Sequence, residues 1–226
     1  RVFISGYPMQ DEKAPGSRAY VLVVAGSVGS GKSTITAELA KAWGGAAVLS
    51  FDHYGNDVEW PDDMGKWARE GYDPRGIRVP KMKEDLLCLL RGEEIRDPIN
   101  GSTIKAAKTI IIEEPSGRER EEIRDEVDFV VYIDTPQDVC VMRMIERVLD
   151  TSEEGHQGNF QEQSKEELAE QLEAIALWMT QYRQRREMYL QVSQRVRQGA
   201  DLVVNGLDPV ELITAQILEE VKRKMK

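Results

Sequence analysis

The sequence predicts an α/β fold: a mostly parallel sheet with helices on both faces. Three observations carry this expectation. Short, continuously apolar runs rich in β-formers alternate with helix-forming stretches along the 226 residues, the pattern of repeated β-α-β units. The stretch Gly26-Ser27-Val28-Gly29-Ser30-Gly31-Lys32-Ser33 lies between one such run and one such helix, and fits Gly-x-x-x-x-Gly-Lys-Ser/Thr at every fixed position. Acids stand at or just past the ends of three apolar runs, at Asp52, Glu113 and Asp134, and in parallel sheets ligands bind beyond the carboxyl ends of the strands.

Residues 1–19 mix Gly6, Pro8, Pro15 and Gly16 with charge, which predicts an N-terminal arm outside the core. Tyr20 to Ala25 is the first buried strand and Thr34 to Trp43 the first helix, stopped by Gly44-Gly45. Ala46 to Ser50 is a second strand, running into Phe51-Asp52-His53-Tyr54. A short helix is expected between Asp57 and Tyr72, near Trp60 and Trp67. Pro80 as a first helical residue and Gly92 past the last turn bracket another, with Met82, Leu86, Leu87 and Leu90 inward. Glu94 to Ser102 reads as a polar connection around Pro98 and Gly101.

Lys108 to Glu113 and Val127 to Ile133 are the next strands, and Thr135-Pro136 with Asp138 opens a helix. Polar, glycine-bearing residues from Asp150 to Gln163 predict a lid. Ser164-Lys165-Glu166-Glu167 is a capping box, and Leu168, Leu172, Ile175, Met179, Tyr182 and Tyr189 mark the expected inward stripe of a long helix that Arg186 interrupts. Ala200 to Asn205 is a last strand, and Asp208-Pro209 starts a terminal helix. The organisation expected is therefore an arm (1–19), a core (20–206) with a helical lid around 150–163, and a C-terminal helix (207–226) of the same domain.

Composition narrows the function. Acidic residues outnumber basic ones 40 to 30, for a net charge of −10, which argues against a nucleic-acid partner. No apolar stretch approaches the ~20 residues that span a bilayer, and Arg1-Val2-Phe3-Ile4 lacks a secretory layout. Cys88 and Cys140 are too few and too far apart for a zinc site or a disulfide framework. A cytoplasmic protein with no membrane partner is expected; homo-oligomerisation stays open.

The glycine-rich stretch has the chemistry of a phosphate cradle. Its glycines admit backbone angles closed to other residues, so that N–H groups from Gly26 through Thr34 can turn on an anion at a helix N-terminus. Lys32 brings positive charge to the terminal phosphates and Ser33 a hydroxyl to Mg²⁺. Transfer of a γ-phosphoryl group then needs positioning and a carboxylate to take the acceptor's proton, a role that suits Asp52. No Asn-Lys-x-Asp segment for reading guanine occurs anywhere in the chain.

These residues resemble the uridine kinase and phosphoribulokinase branch of the P-loop kinases, over roughly residues 20 to 206. The resemblance rests on Asp52-His53-Tyr54, Tyr72-Asp73-Pro74, Ile110-Ile111-Ile112-Glu113, Asp134-Thr135, Gln181-Tyr182 and the closing Ala200-Asp201 strand, in that order. It implies ATP and Mg²⁺ as cofactors and a small-molecule acceptor. By the same resemblance, Asp52 is the general base, Tyr54, Asp73 and Gln181 belong to the substrate site, and Glu113 lies near the metal with Ser33 and Asp52.

Departures from the family bear on the acceptor. The aromatic-rich segment ending in His that uridine kinases carry is replaced by Asn100-Gly101-Ser102-Thr103-Ile104-Lys105, and the arginine-bearing lid by Ser152-Glu153-Glu154-Gly155-His156. Basic groups are then expected from Arg143 and Arg147, with Arg147 the first candidate for catalysis, and from Arg186 on the substrate side. Glu113 and Glu114 point to opposite faces of a strand; the resemblance favours Glu113. His53 and His156 have no partner that the sequence identifies. A nucleoside kinase is expected first. A kinase for pantothenate, glycerate or a sugar-like acceptor and a non-catalytic ATP-binding module are the alternatives.

Overall fold

The computed structural model describes residues 18–149 and 164–225. Almost all of the arm and the whole segment expected as a lid therefore lie outside the described residues, as does His156. The chain runs β1 (Tyr20–Gly26), α1 (Lys32–Ala42), β2 (Ala47–Ser50), α2 (Met64–Arg69), α3 (Pro80–Leu90), β3 (Ile95–Arg96) and β4 (Thr103–Ile104). It continues through β5 (Thr109–Glu113), β6 (Phe129–Asp134), α4 (Gln137–Leu149), α5 (Lys165–Gln198), β7 (Leu202–Asn205) and α6 (Val210–Met225).

Five strands form one sheet in the order β2-β5-β1-β6-β7, every pair parallel. β1 and β5 are buried along their whole lengths, which is why both read as unbroken apolar runs rather than alternating ones. Alternate residues feed two cores. Val21, Val23, Ile110 and Ile112 pack with Met82 and Leu86 of α3 and Val196 of α5 on one face. Leu22, Val24, Ile111 and Val131 pack with Ile35 and Leu39 of α1 and Ile213 and Ile217 of α6 on the other. The helices do lie on both faces, as the alternation of strand and helix predicts.

Local chemistry places the helix ends where the sequence marks them. Pro80 opens α3, and Gly92 follows it at φ 83°, a left-handed turn that glycine adopts without strain. Ser164 and Glu167 close the capping box at the start of α5, the serine accepting from Glu167 N–H at 3.1 Å and the glutamate from Ser164 N–H at 2.7 Å. Part of the stripe expected on α5 is not inward: Leu172 is 66% and Met179 45% exposed. The half-buried positions include Trp178, Tyr182, Tyr189 and Val192, ending at the buried Val196. The polar connection after α3 contains a two-stranded antiparallel ribbon, β3 with β4. Among the described residues no helix is long and apolar enough to cross a membrane.

Candidate active site

The phosphate loop leaves the carboxyl end of β1 and enters α1 at its N-terminus. Gly29 sits at φ 81°, and a Cβ there would stand 2.5 Å from the Cys140 carbonyl oxygen of α4, so both conformation and space require glycine. Gly31 caps α1 at φ 101° with no side-chain hydrogen bond to the first turn, leaving first-turn N–H groups for an anion. Thr135 Oγ1 donates to the Ser30 carbonyl at 3.0 Å and holds the loop from the end of β6.

Lys32 folds back over the loop, donating from Nζ to the Ser27 carbonyl at 3.0 Å. Burial pushes its ammonium pKa below the usual lysine range, while Glu113 and Asp52 oppose that shift. Both carboxylates therefore lie within electrostatic reach of Lys32. Ser33 Oγ donates to Glu113 Oε1 at 2.7 Å, and Ser50 Oγ lies 3.5 Å from Glu113 Oε2. Asp52 occupies the 3-10 turn Phe51–Asp57 that follows β2, and it is exposed. Val28 and Thr34 are exposed as well, and Gly26 is buried.

Lys32, Ser33, Asp52 and Glu113 are thus gathered at one end of the sheet. Asp134 is turned elsewhere, its Oδ2 accepting from Arg197 Nε of α5 at 2.9 Å. The strand alternation resolves the two glutamates. Glu113 faces the loop, whereas Glu114 is fully buried on Arg120, which donates to Glu114 Oε2 from Nε at 3.1 Å and from a terminal nitrogen at 2.9 Å.

Four of the residues expected at the site are placed differently. Tyr54 is 1% exposed and its hydroxyl donates to Asp85 Oδ2 of α3 at 3.0 Å, so it cannot touch a substrate in the cleft. Tyr54 stands at a kink in the Phe51–Asp57 segment, at φ −101° and ψ 16°, and is turned inward there. Burial, with Asp85 beside it, raises its pKa well above the ordinary tyrosine range. Arg147 is exposed in the last turn of α4; one turn earlier, Arg143 reaches the loop, donating to the Ser30 and Gly206 carbonyls at 3.2 Å each. Gln181 and Arg186 are exposed on α5. A cleft beside the loop is lined instead by Ser27, Val28, Gln137, Trp178, Tyr182 and Tyr189, with Cys140 and Val141.

Asp73 is half-buried and engaged. Arg75 donates to both of its carboxylate oxygens, from Nε at 2.9 and 3.0 Å, and Arg195 of α5 stands 3.9 Å away. The Arg75 hydrogen bond is the main reason its pKa lies below the usual carboxylate range. Tyr72 precedes it at φ 53°, the only non-glycine residue with positive φ among the described residues. His53 has a partner after all: its Nδ1 lies 2.6 Å from Asp97 Oδ2, beyond β3.

Sequence reasoning missed Gln137 and Ser193 as neighbours of the loop. Gln137 directly follows the Thr135-Pro136 helix start that the sequence marks, so its nearness to the carboxyl end of β6 was legible. Ser193 carried no signal.

A parallel sheet with this loop at its first strand, a lysine and a serine paired with a strand-end glutamate, defines a P-loop nucleotide-binding fold of the kinase type. No family model matches the chain. Uridine kinase of Bacillus pumilus is 30% identical over 153 residues, which cover 62% of this chain and 71% of that protein. Uridine kinases of Escherichia coli K12 and Pasteurella multocida are 28% and 29% identical over 203 and 202 residues, covering 81% of this chain and 85% and 84% of theirs. The chain belongs to the uridine kinase family, and it is a kinase.

Proposed function

We propose that the chain transfers the γ-phosphoryl group of ATP to a hydroxyl of a small molecule, most readily a nucleoside. The convergence of Lys32, the Ser33–Glu113 pair and Asp52 at the carboxyl end of the sheet carries this reading. When bound, ATP supplies the phosphoryl group and Mg²⁺ the charge that screens it. The donor set fits that pairing. Among the described residues no group of three or more His, Cys, Asp or Glu could hold a metal. Mg²⁺ commonly takes only one or two carboxylates and completes its shell with phosphate and water.

In this reading the loop and the N-terminus of α1 hold the phosphates, and Lys32 leaves the Ser27 carbonyl to neutralise them. Ser33 and Glu113 would hold the metal. Asp52, at the mouth of the cleft, accepts the proton of the attacking hydroxyl as the new P–O bond forms and ADP departs. Asp73 is assigned to the acceptor side by family likeness, in a pair with Arg75 that can both accept from and donate to a hydroxyl. A cytoplasmic setting suits Cys88 and Cys140, both free thiols.

A second reading keeps the reaction and changes the acceptor to a non-nucleoside metabolite. It is favoured by Asn100 to Lys105, which give β4 and the turn before it no aromatic residue to stack on a base. ADP release with ATP and Mg²⁺ across nucleosides, sugars and hydroxy acids tests both, with Lys32→Ala as control. A nucleoside hit lost in the control is the expected result. A hit confined to another class moves the acceptor, and a blank panel beside measurable ATP binding removes transfer to these three acceptor classes.

A further inference from the structure

Ser27, the first variable residue of the phosphate loop, is polar and buried, and two other elements converge on its hydroxyl. Gln137 Nε2, in the first residue of α4, donates to Ser27 Oγ at 2.7 Å. Ser193 Oγ of α5 lies 2.8 Å from the same atom. The buried Tyr132 of β6 lies near both serines. The Lys32 ammonium meets the same residue through its carbonyl.

Gln137 is engaged at both ends of its amide. While Nε2 holds Ser27, Oε1 accepts from the Tyr182 hydroxyl of α5 at 3.3 Å. Tyr182 is itself fixed in a stack, its ring centroid 5.4 Å from Trp178 and 5.8 Å from Tyr189, with interplanar angles of 21° and 20°. An amide whose donor and acceptor are both taken has one orientation, so Ser27 and Tyr182 cannot shift independently.

We propose that Gln137 is a positioning residue that ties the phosphate loop to α5, and that nucleotide occupancy of the loop is transmitted through it to that helix. Polar groups buried together hold a loop in one geometry only while each is satisfied. Phosphate binding draws Lys32 away from the Ser27 carbonyl and leaves Gln137 and Ser193 as the restraint on that residue. The strain of any loop adjustment then falls on Tyr182 and its stack. The proposal rests on the reading of the loop as an ATP site.

The test uses the full chain with a fluorescent ATP analogue and Mg²⁺, comparing wild type with Gln137→Met and Ser193→Ala. Gln137→Met keeps bulk and removes both hydrogen bonds, and Ser193→Ala loosens the cluster from the other side. Thermal melts establish that each variant is folded. Weakening of about tenfold is expected for Gln137→Met and less for Ser193→Ala, the scale of one or two hydrogen bonds. Hydrogen exchange supplies a readout that a packing role would not move: ATP should slow exchange over residues 175–196 in wild type and not in Gln137→Met. If either folded variant binds like wild type and Gln137→Met keeps the ATP-dependent protection, the coupling is overturned. Should wild type bind no analogue at all, the loop reading fails first and the coupling with it.

Discussion

Glu113 and Glu114 are consecutive residues with opposite fates: the first hydrogen-bonds the Ser33 hydroxyl beside the phosphate loop, and the second is sealed against Arg120 on the other side of the sheet. The same change at the two positions should therefore read out differently. Glu113→Gln should fold normally and lose turnover by 10²-fold or more, on the order of a lost metal-positioning group. Glu114→Gln leaves the Arg120 guanidinium buried without its counter-charge, which costs about 3 kcal/mol. Urea unfolding and ADP release on both variants check the pair. Equal destabilisation at both sites would contradict the assignment.

Asp52 is exposed at the cleft mouth and within electrostatic reach of Lys32. As the proposed proton acceptor it should matter to chemistry rather than to nucleotide binding. Asp52→Asn is expected to lower kcat by roughly 10²- to 10⁴-fold, the range of general base catalysis, with KM for ATP little changed. An unaltered kcat in the folded variant would move the proton to another group.

Tyr54 offers the converse test, because its hydroxyl is spent on Asp85 under α3 rather than on a substrate. Tyr54→Phe removes one donor from a buried carboxylate that still keeps Lys81 at 2.9 Å. The expected loss is about 1–2 kcal/mol of stability, with KM for the acceptor unchanged. A raised acceptor KM without loss of stability would return Tyr54 to the substrate site.

Much of this arrangement was legible because backbone chemistry dictates it locally. The loop is fixed by glycines at left-handed angles, and the capping box at Ser164 by two reciprocal hydrogen bonds. What escaped depends on turns and on distant partners. Tyr54 was misplaced because the turn after β2 is a 3-10 turn, and nothing in Phe51-Asp52-His53-Tyr54 specifies which residue it points inward. The β3–β4 ribbon has two residues per strand, too short for alternation to register. Arg143 and Arg147 lie on neighbouring turns of α4, and only the position of the loop separates them. The Ser27 partner of Gln137, the place of Ser193 and the Asp97 partner of His53 are set by tertiary contact alone.

Asp201 should govern part of the acid stability. Burial disfavours its ionised form, but the Val130 N–H, Arg118 and Lys224 outweigh burial and hold its pKa below the usual carboxylate value. A carboxyl depressed in the folded state binds its proton more readily when unfolded. Its contribution is therefore complete above the unfolded value of about 3.9 and disappears as pH falls through the folded one. The urea midpoint should change little on this account from pH 7 to 5 and drop below about pH 4. Asp201→Asn should lower the midpoint at pH 7 and flatten that acid limb, since the protonatable group that joins β6 to the start of β7 is gone. A variant that is weaker at pH 7 yet keeps the full wild-type drop would assign the acid limb to other carboxylates, of which Asp97, held low by His53 and two backbone N–H groups against its burial, is the next to substitute.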